Sequence, residues 1–282
     1  MSKSPESTPD QTAIKQRLIA CTQSPGRLSR STVADALISW LTFAGVSYAA
    51  IDADPQHHTL SDRHDVTLLD PTASEDEFST LVEALPTDAQ TIIVDFPSQA
   101  TARILEFSAH FGLLETFRQA GIRPTLLIFT ADDSTAKDSA ADTIEFFGEN
   151  ADYILIENSA RFRSDNFKNT PLYDWFVERN TPTITIPRIS SGTLAAWEAA
   201  QHEHGKGLSL DAVCKLRSLH PMRQLEIAGV RDRCLVQFED CASRIVPDPS
   251  AITHRVIRAS VPQGVGPKRP ANRFGNKMLV QK

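Results

Sequence analysis

Short apolar segments alternate with helical patterns along most of the chain. The run Thr91–Asp95 has almost no polar face, and residues 124–130 and 151–157 are similar. Between them, residues 98–120 and 134–150 repeat apolar side chains at helical spacing. A strand that is apolar on both faces is typical of a parallel sheet covered by helices. The alternation therefore predicts an α/β fold, a doubly wound and mainly parallel sheet with helices on both faces.

Local patterns predict several boundaries of these elements. Residues 98–120 are predicted as one long helix that Gly121 ends, since glycine is favoured just past a helix C-terminus. Ser74 and Glu77 have the spacing of a capping box and predict the start of another helix. A strand is predicted over residues 64–70, where Asp70 and a proline end it.

Length and composition predict one α/β domain with additions at its ends. The chain has 282 residues, 41% hydrophobic and 23% charged, which is enough to build a core. We predict a disordered N-terminal lead over 1–11, the α/β domain over 12–205, a helical extension over 206–246 and a basic, flexible tail over 247–282. The lead lacks a signal-peptide core, and no apolar run approaches the roughly 20 residues that span a membrane. We therefore expect a cytoplasmic protein without a membrane partner.

The four cysteines match no disulfide framework or zinc pattern. Three of them could be combined with His220 as a metal set, but buried, reduced thiols of a cytoplasmic protein are the expectation. The four are Cys21, Cys214, Cys234 and Cys241.

Charge is distributed unevenly along the chain. The net charge is −6, yet the segment from Arg244 onward has eight basic residues and one acid, Asp248. That segment carries +7, which leaves −13 for residues 1–243. Such a basic tail indicates an anionic partner, DNA among the options, with an affinity that falls with salt. A purely solubilising tail is the alternative.

The segment Gln23–Thr32 lies between an apolar run and a helical pattern that starts at Val33. A strand, a short loop and a helix N-terminus are the setting of a phosphate-binding loop, because the first N–H groups of a helix are unpaired. The P-loop pattern is Gly-x-x-x-x-Gly-Lys-Ser/Thr. Here both glycines and the lysine are replaced, and the hydroxyl position is kept. The residues at these four positions are Ser24, Ser29, Arg30 and Ser31.

Two later segments give this loop a context. Residues 51–61 read Ile-Asp-Ala-Asp-Pro-Gln-His-His-Thr-Leu-Ser, and residues 91–98 read Thr-Ile-Ile-Val-Asp-Phe-Pro-Ser. The first resembles the switch I region of the ParA/MinD family of deviant Walker ATPases, and the second resembles its Walker B strand and switch II. The family's signature loop lies over residues 25–32, and the resemblance covers roughly residues 12–200. Residues 154–158 are similar to the conjugation-associated, TraL-like branch.

The resemblance implies a P-loop NTPase-like fold with a site for ATP and Mg²⁺. Ser31, Asp52 and Asp95 would hold the metal, and Asp54 would position the attacking water. Asn158 would contact the adenine base. The nucleotide-binding residues implied in this way are Gly26, Arg27, Ser29, Arg30, Ser31, Thr32 and Asn158.

Each of these residues also has a plainer interpretation. Ser31 can cap the helix that follows it, and Asp52 and Asp54 can form a turn at the end of a strand. Asp95 can cap a helix, and Asn158 can be an ordinary loop residue.

The replaced residues lead to two functional hypotheses. Pro25 stands at the signature lysine, and Arg30 keeps the charge of the loop lysine but presents a planar fork. The first hypothesis is a scaffold or partner-binding pseudo-ATPase in plasmid or DNA partition or conjugal transfer, with a protein partner. The second is an active ATPase in which Arg27 and Arg30 replace the lysines. Family members dimerise face to face over nucleotide, so a homodimer is also open.

Two further alternatives remain for the fold and its use. A dinucleotide-binding fold would place Asp52 on a ribose, but the Gly-x-Gly-x-x-Gly loop is missing. A pure interaction module would fill the former nucleotide site with its own side chains, and Pro25, Arg27 and Leu28 are the candidates for this.

Overall fold

The computed structural model describes residues 13–23, 30–85, 88–158 and 164–256. The strands are β1 (Gln16–Cys21), β2 (Tyr48–Asp52), β3 (Thr67–Leu68), β4 (Thr91–Asp95), β5 (Ile122–Phe129), β6 (Asp152–Glu157) and β7 (Thr183–Thr185). They form one sheet in the order β3-β2-β4-β1-β5-β6-β7, and every pair of neighbours is parallel. The predicted α/β fold with a parallel sheet is confirmed.

Helices connect the strands and cover both faces of the sheet. They are α1 (Arg30–Ala44), α2 (Glu75–Glu83), α3 (Thr101–His110), α4 (Leu113–Ala120), α5 (Ser134–Phe147), α6 (Asp165–Lys168), α7 (Pro171–Glu178), α8 (Ser191–His204), α9 (Leu210–Cys214), α10 (Pro221–Asp240) and α11 (Ala242–Ile245). In the described ranges, 3₁₀ turns lie at Gly148–Asn150 and Pro249–Ala251.

Alternate residues of the central strands supply two separate hydrophobic cores. On β1, Ile19 belongs to the core that contains α1, α8, α9 and α10, whereas Leu18 belongs to the core that contains α2, α3, α4 and α5. This follows from the period of two in a strand, which sends neighbouring side chains to opposite faces. Helix α1 is the most buried of the covering helices, and its Trp40 is fully enclosed.

The helix predicted over residues 98–120 is two helices. Helix α3 ends before Phe111, and α4 begins after Gly112, which has φ of 57°. A left-handed residue interrupts the helical backbone, although the apolar stripe continues across it. Gly121, with φ of 73°, ends α4 as predicted, and the Ser74 hydroxyl accepts a hydrogen bond from the Glu77 N–H at 3.2 Å.

The strand predicted over residues 64–70 is much shorter in the structure. Only Thr67–Leu68 forms β3, an exposed two-residue edge strand. His64 is outside it because its ring bonds to the Asp35 carboxylate on α1, with Nε2 and Oδ1 2.9 Å apart. The beginning of the predicted strand is therefore fixed by α1 rather than by the sheet.

The residues after the last strand pack on the same body as the sheet. Helix α10 lies against α1, where Trp40 Nε1 donates to Glu239 Oε2 at 3.3 Å. The packed chain continues beyond residue 247, the predicted start of the tail: Ile252 is buried, and Thr253 N–H donates to the Ala44 carbonyl at 3.0 Å. The rest of the predicted tail and the predicted lead lie outside the described residues.

A side chain of α10 completes the edge of the sheet at β7. Gln237 Oε1 accepts from the Thr185 N–H at 2.7 Å, and Gln237 Nε2 donates to the Thr185 carbonyl at 3.0 Å. The side-chain amide of Gln237 therefore hydrogen-bonds both the N–H and the carbonyl of Thr185, which point away from β6. Edge strands with free backbone groups invite pairing with other chains, and this contact prevents it here.

Candidate functional site

The candidate site lies at the carboxyl edge of the central strands. Asp52 ends β2 and Asp95 ends β4, and the ladder places them opposite each other. Cys21, the last residue of β1, is opposite Asp95 on the other side. Thr22 and Gln23, which follow β1, and Arg30, which begins α1, border the same edge. Ligands of α/β proteins bind at this edge.

The order of these elements defines the class of fold. A central strand leads through a loop into α1, and an aspartate ends the neighbouring strand. In P-loop NTPases the phosphate-binding loop occupies the first position and the Walker B aspartate the second. The chain has an α/β P-loop NTPase-like fold. The candidate residues Gly26, Arg27 and Ser29 lie outside the described residues.

Ser31 and Asp95 are brought together by this arrangement. The Ser31 side chain is hydrogen-bonded to the Asp95 carboxyl group, which is only 5% exposed. Burial raises the pKa of Asp95 to about 6, against the opposing effects of the Ser31 hydrogen bond and the Arg30 charge. The site therefore contains a carboxyl group that takes up a proton in mildly acidic solution.

Arg30, at the position of the P-loop lysine, bonds to the backbone of its own loop. Its Nη1 donates to the Gln23 carbonyl at 2.6 Å. Thr32, in the first turn of α1, is half-buried. The guanidinium N–H group that donates to this backbone carbonyl is not available to hydrogen-bond a phosphate at the same time.

Gln23 anchors the start of the loop, a role that the sequence did not reveal. Its side chain is fully buried, and Nε2 donates to the carbonyls of Phe129 at 3.2 Å and Ala136 at 3.0 Å. Its Oε1 accepts from the Phe129 N–H. These bonds join the end of β1 to the end of β5 and to α5. Nothing in the sequence except a polar residue two positions after the end of a strand could have indicated this.

Asp52 holds the segment that follows β2. Its Oδ1 accepts from the Asp54 N–H at 3.1 Å, and its Oδ2 accepts from the N–H groups of Leu60 at 3.0 Å and Ser61 at 2.8 Å. Both oxygens of this fully buried carboxylate therefore bind backbone. These bonds are the ones that a turn-forming aspartate at the end of a strand makes.

Asp54 also bonds to nearby backbone. Its Oδ1 accepts from the N–H groups of Gln56 at 3.0 Å and His57 at 3.2 Å. Asn158 is buried directly after β6, at the same edge as Asp95 but three strands away in the sheet.

The far end of residues 54–64 is fixed by a second buried carboxylate, Asp35 of α1. It accepts from Arg63 at 3.3 Å, from the Leu210 N–H at 3.1 Å, and bonds to His64. A charged residue within the apolar stripe of a predicted helix was the available signal for it. Asp52 and Asp35 together fasten both ends of the segment that resembles switch I.

The residues fit Mg²⁺ only in part. A loop hydroxyl and the Walker B aspartate hold the metal in P-loop NTPases, and Ser31 with Asp95 provides this pair. Asp52 and Asp54 are instead engaged with backbone N–H groups. Over the part of the chain that the structure describes, no group of three or more His, Cys, Asp or Glu side chains is placed to bind a metal ion.

Two cysteines after the sheet are buried free thiols. They are Cys234 and Cys241, and burial raises the pKa of both. Cys214 is a free thiol as well, and it is half-buried. Among the residues that the structure describes, none of the helices combines the length and the hydropathy that a membrane span needs.

Comparison with known proteins gives structural likeness alone. No protein-family model matches the chain, and no curated protein matches it. The septum site-determining protein MinD complexed with Mg-ADP from Pyrococcus horikoshii is similar in structure, with 14% identity, coverage of 80% of this chain and 97% of that one, and a TM-score of 0.49.

Two other solved structures are also similar. The MinC:MinD cell division complex of Aquifex aeolicus has 13% identity, covers 77% of this chain and 94% of that one, and has a TM-score of 0.39. Chloroplast FtsY from Physcomitrella patens has 12% identity, coverage of 64% and 62%, and a TM-score of 0.40. Identities this low transfer no residue role.

Proposed function

We propose that the chain is a ParA/MinD-like protein that binds a partner protein through a switch segment held in one conformation, without using a nucleotide. The observation that carries this proposal is the position of Arg30, whose guanidinium bonds to the Gln23 carbonyl at 2.6 Å. The replaced glycines and lysine of the loop support it from the sequence.

The carboxylates that would sense a nucleotide support the same proposal. Switch segments of NTPases are ordered by contacts to phosphate and Mg²⁺ and are released after hydrolysis. Here Asp52 and Asp35 order the segment through bonds inside the protein. A surface that is ordered without a ligand suits a scaffold, because a partner can bind it without the loss of conformational entropy that ordering a flexible segment would cost.

The resemblance supports plasmid or DNA partition or conjugal transfer in the cytoplasm as the setting. Residues 154–158 favour the TraL-like branch within the family, and the net +7 from Arg244 onward is compatible with DNA as an additional partner.

Isothermal titration calorimetry with ATP, ADP and GTP plus Mg²⁺ tests the proposal. We expect no binding heat from the wild-type protein, and none from Arg30→Ala. Arg30→Lys is the matched variant, since it restores the loop lysine without adding charge. Binding tighter than about 100 μM in the wild type that is lost in Arg30→Ala would refute the proposal.

An active ATPase is the second candidate, and the Ser31–Asp95 hydrogen bond favours it. This pair is the metal-binding half of a P-loop site. Steady-state phosphate release that disappears in Asp54→Ala, but persists in Asp65→Ala on the exposed part of the same loop, would establish this candidate. If the wild-type protein released no phosphate, the active ATPase would be excluded as a candidate function.

A further inference from the structure

Three arginines lie together at the amino end of the sheet, on the face that α11 covers. Arg17 of β1 is paired in register with Arg123 of β5, so the two side chains are neighbours on the same face. Arg244 of α11 lies close to them. Burial lowers the pKa of Arg17 despite its bond to Asp152, and the positive charges of Arg123 and Arg244 lower this pKa further. Like charges placed this close are unfavourable unless negative charge compensates for them.

One carboxylate compensates for these positive charges. Asp152, the first residue of β6, pairs with Arg17 Nη1, and its Oδ1 accepts from Arg123 Nη2 at 3.2 Å. Arg244 forms no ion pair with any described residue, and its Nη1 donates to a backbone carbonyl. We define the arginine cluster as Arg17, Arg123, Arg244 and Asp152. Three positive groups and one negative group leave two positive charges uncompensated in the cluster.

Several N–H groups of the cluster have no acceptor within the described chain. Arg17 is 6% exposed, and its Nε lacks a hydrogen-bond partner. The side chain of Arg244 makes one hydrogen bond to a described group, from Nη1 to the Tyr153 carbonyl at 3.1 Å. Its Nε and Nη2 are therefore free to donate. Buried donors of a charged group are costly without an acceptor, so these groups suit an acceptor from outside the chain.

The cluster is fixed by the fold and is accessible from solvent. Arg17 Nη2 donates to the Ser243 carbonyl at 2.7 Å, which connects β1 to α11. The side chains of Arg123 and Asp152 are 30% and 26% exposed, and Arg244 is half-buried. A ligand can therefore reach the arginines without a rearrangement of the backbone, and little side-chain entropy is lost when it binds.

We propose that the arginine cluster binds a dianionic oxyanion, either inorganic phosphate or the phosphoryl group of a phosphate monoester. Two negative charges match the two positive charges that Asp152 leaves uncompensated. The N–H groups of a guanidinium lie in one plane and match the spacing of phosphate oxygens. A carboxylate carries a single charge and would compensate for half of the excess.

This site is separate from the candidate site at the carboxyl edge. Arg17 and Cys21 lie near opposite ends of β1, four residues apart, which is about 13 Å along a strand. Neither Arg30 nor Asp95 takes part in the arginine cluster. The inference therefore does not rest on the proposed function.

Thermal unfolding of the full chain in increasing phosphate, with sodium chloride added to keep the ionic strength constant, measures the binding. We expect a dissociation constant on the order of 1 mM, so about 10 mM phosphate should raise the melting temperature by about 2–4 °C. Arg244→Gln should weaken binding by about tenfold or more and lose most of this rise. No rise in the wild type, or an equal rise in Arg244→Gln, would overturn the proposal.

Two control variants show where the phosphate binds. Arg118→Gln removes an exposed arginine of α4, on the opposite face of the sheet, and should respond to phosphate like the wild type. Arg30→Ala should also keep the full rise, because Arg30 belongs to the candidate site. A rise that is lost in Arg30→Ala and kept in Arg244→Gln would contradict binding at the arginine cluster.

Arg244→Lys tests the cluster with the charge retained. Lysine keeps the positive charge but lacks the planar guanidinium, so this variant should fold and bind phosphate several times more weakly than the wild type. Undiminished binding by Arg244→Lys together with undiminished binding by Arg244→Gln would exclude Arg244 from the site.

A comparison of anions tests the ligand class and identifies its source. Acetate, which carries one charge, should bind at least about tenfold more weakly than phosphate, and equal binding would refute the dianion. Methyl phosphate represents an ester. Affinity for methyl phosphate similar to that for inorganic phosphate would support a phosphate monoester as the ligand, and binding of inorganic phosphate alone would support the free ion.

Discussion

Asp95 is buried and its carboxyl group is hydrogen-bonded to the Ser31 side chain, so its protonation contributes to the stability of the fold. Burial raises its pKa from 3.8 to about 6. Between these two values the folded state binds more protons than the unfolded state does, so the free energy of unfolding falls as the pH rises through this window. A shift of this size corresponds to about 3 kcal/mol.

Asp95→Asn should therefore change the pH dependence of stability. Asparagine cannot ionise, so the variant should lack the loss of stability between pH 3.8 and about 6 and should gain on the wild type across that window. Urea unfolding at several pH values measures it, and Asp65→Asn on the exposed loop is the control. Parallel pH profiles for the wild type and Asp95→Asn would contradict the raised pKa.

The sequence places the candidate residues at one edge of the sheet but does not give their bonding. Asp52 and Asp95 end buried strands, and residues that end parallel strands lie at one edge of the sheet. Whether Asp52 faces a ligand or its own loop depends on the N–H groups of Leu60 and Ser61, which belong to an irregular segment. Irregular backbone has no periodicity from which such contacts can be predicted.

At the scale of elements, the break between α3 and α4 shows that an apolar stripe does not predict where a helix is interrupted. The stripe through residues 98–120 continues across Gly112, so periodicity alone favours one helix. The left-handed backbone of Gly112 turns the chain there and lets both short helices contact the core. The apolar periodicity of the sequence predicts which residues are buried, but it does not predict a change in the direction of the helix axis.

Gly112→Ala should destabilise the protein through backbone strain alone. A Cβ at this position would meet no atom within 4 Å, but φ of 57° is unfavourable for alanine, and we expect a loss of about 1–2 kcal/mol. Gly192→Ala is the matched control, since that position is equally open and has no positive φ. Thermal unfolding of both variants measures the effect, and a Gly112→Ala protein as stable as Gly192→Ala would contradict it.

At the scale of the whole molecule, residues 243–245 connect three strands across one face of the sheet. Arg17 of β1 donates to the Ser243 carbonyl at 2.7 Å, Thr91 of β4 donates to the Ile245 carbonyl at 2.8 Å, and Thr125 of β5 donates to the Arg244 carbonyl. All three acceptors are backbone carbonyls. Because every residue type has one, the sequence could predict helices after residue 206 but not where they pack.

Arg17→Ala should weaken this connection. The buried guanidinium also pairs with Asp152, so the variant leaves a polar pocket in the sheet, and we expect a loss of about 2–4 kcal/mol. Arg118→Ala, which removes an exposed pair with Glu115 on α4, is the control and should leave stability unchanged. Chemical unfolding compares the two, and equal stabilities would show that Arg17 does not fasten the C-terminal helices.

We propose that the departures from the P-loop pattern, and not the fold, prevent nucleotide binding. The most direct measurement is the dissociation constant of Mg·ATP for the wild type and for a triple variant, Ser24→Gly, Ser29→Gly and Arg30→Lys, which restores the pattern. We predict no detectable binding to the wild type and binding tighter than about 100 μM to the variant. Equal binding to both proteins, or no binding to a folded variant, would contradict it.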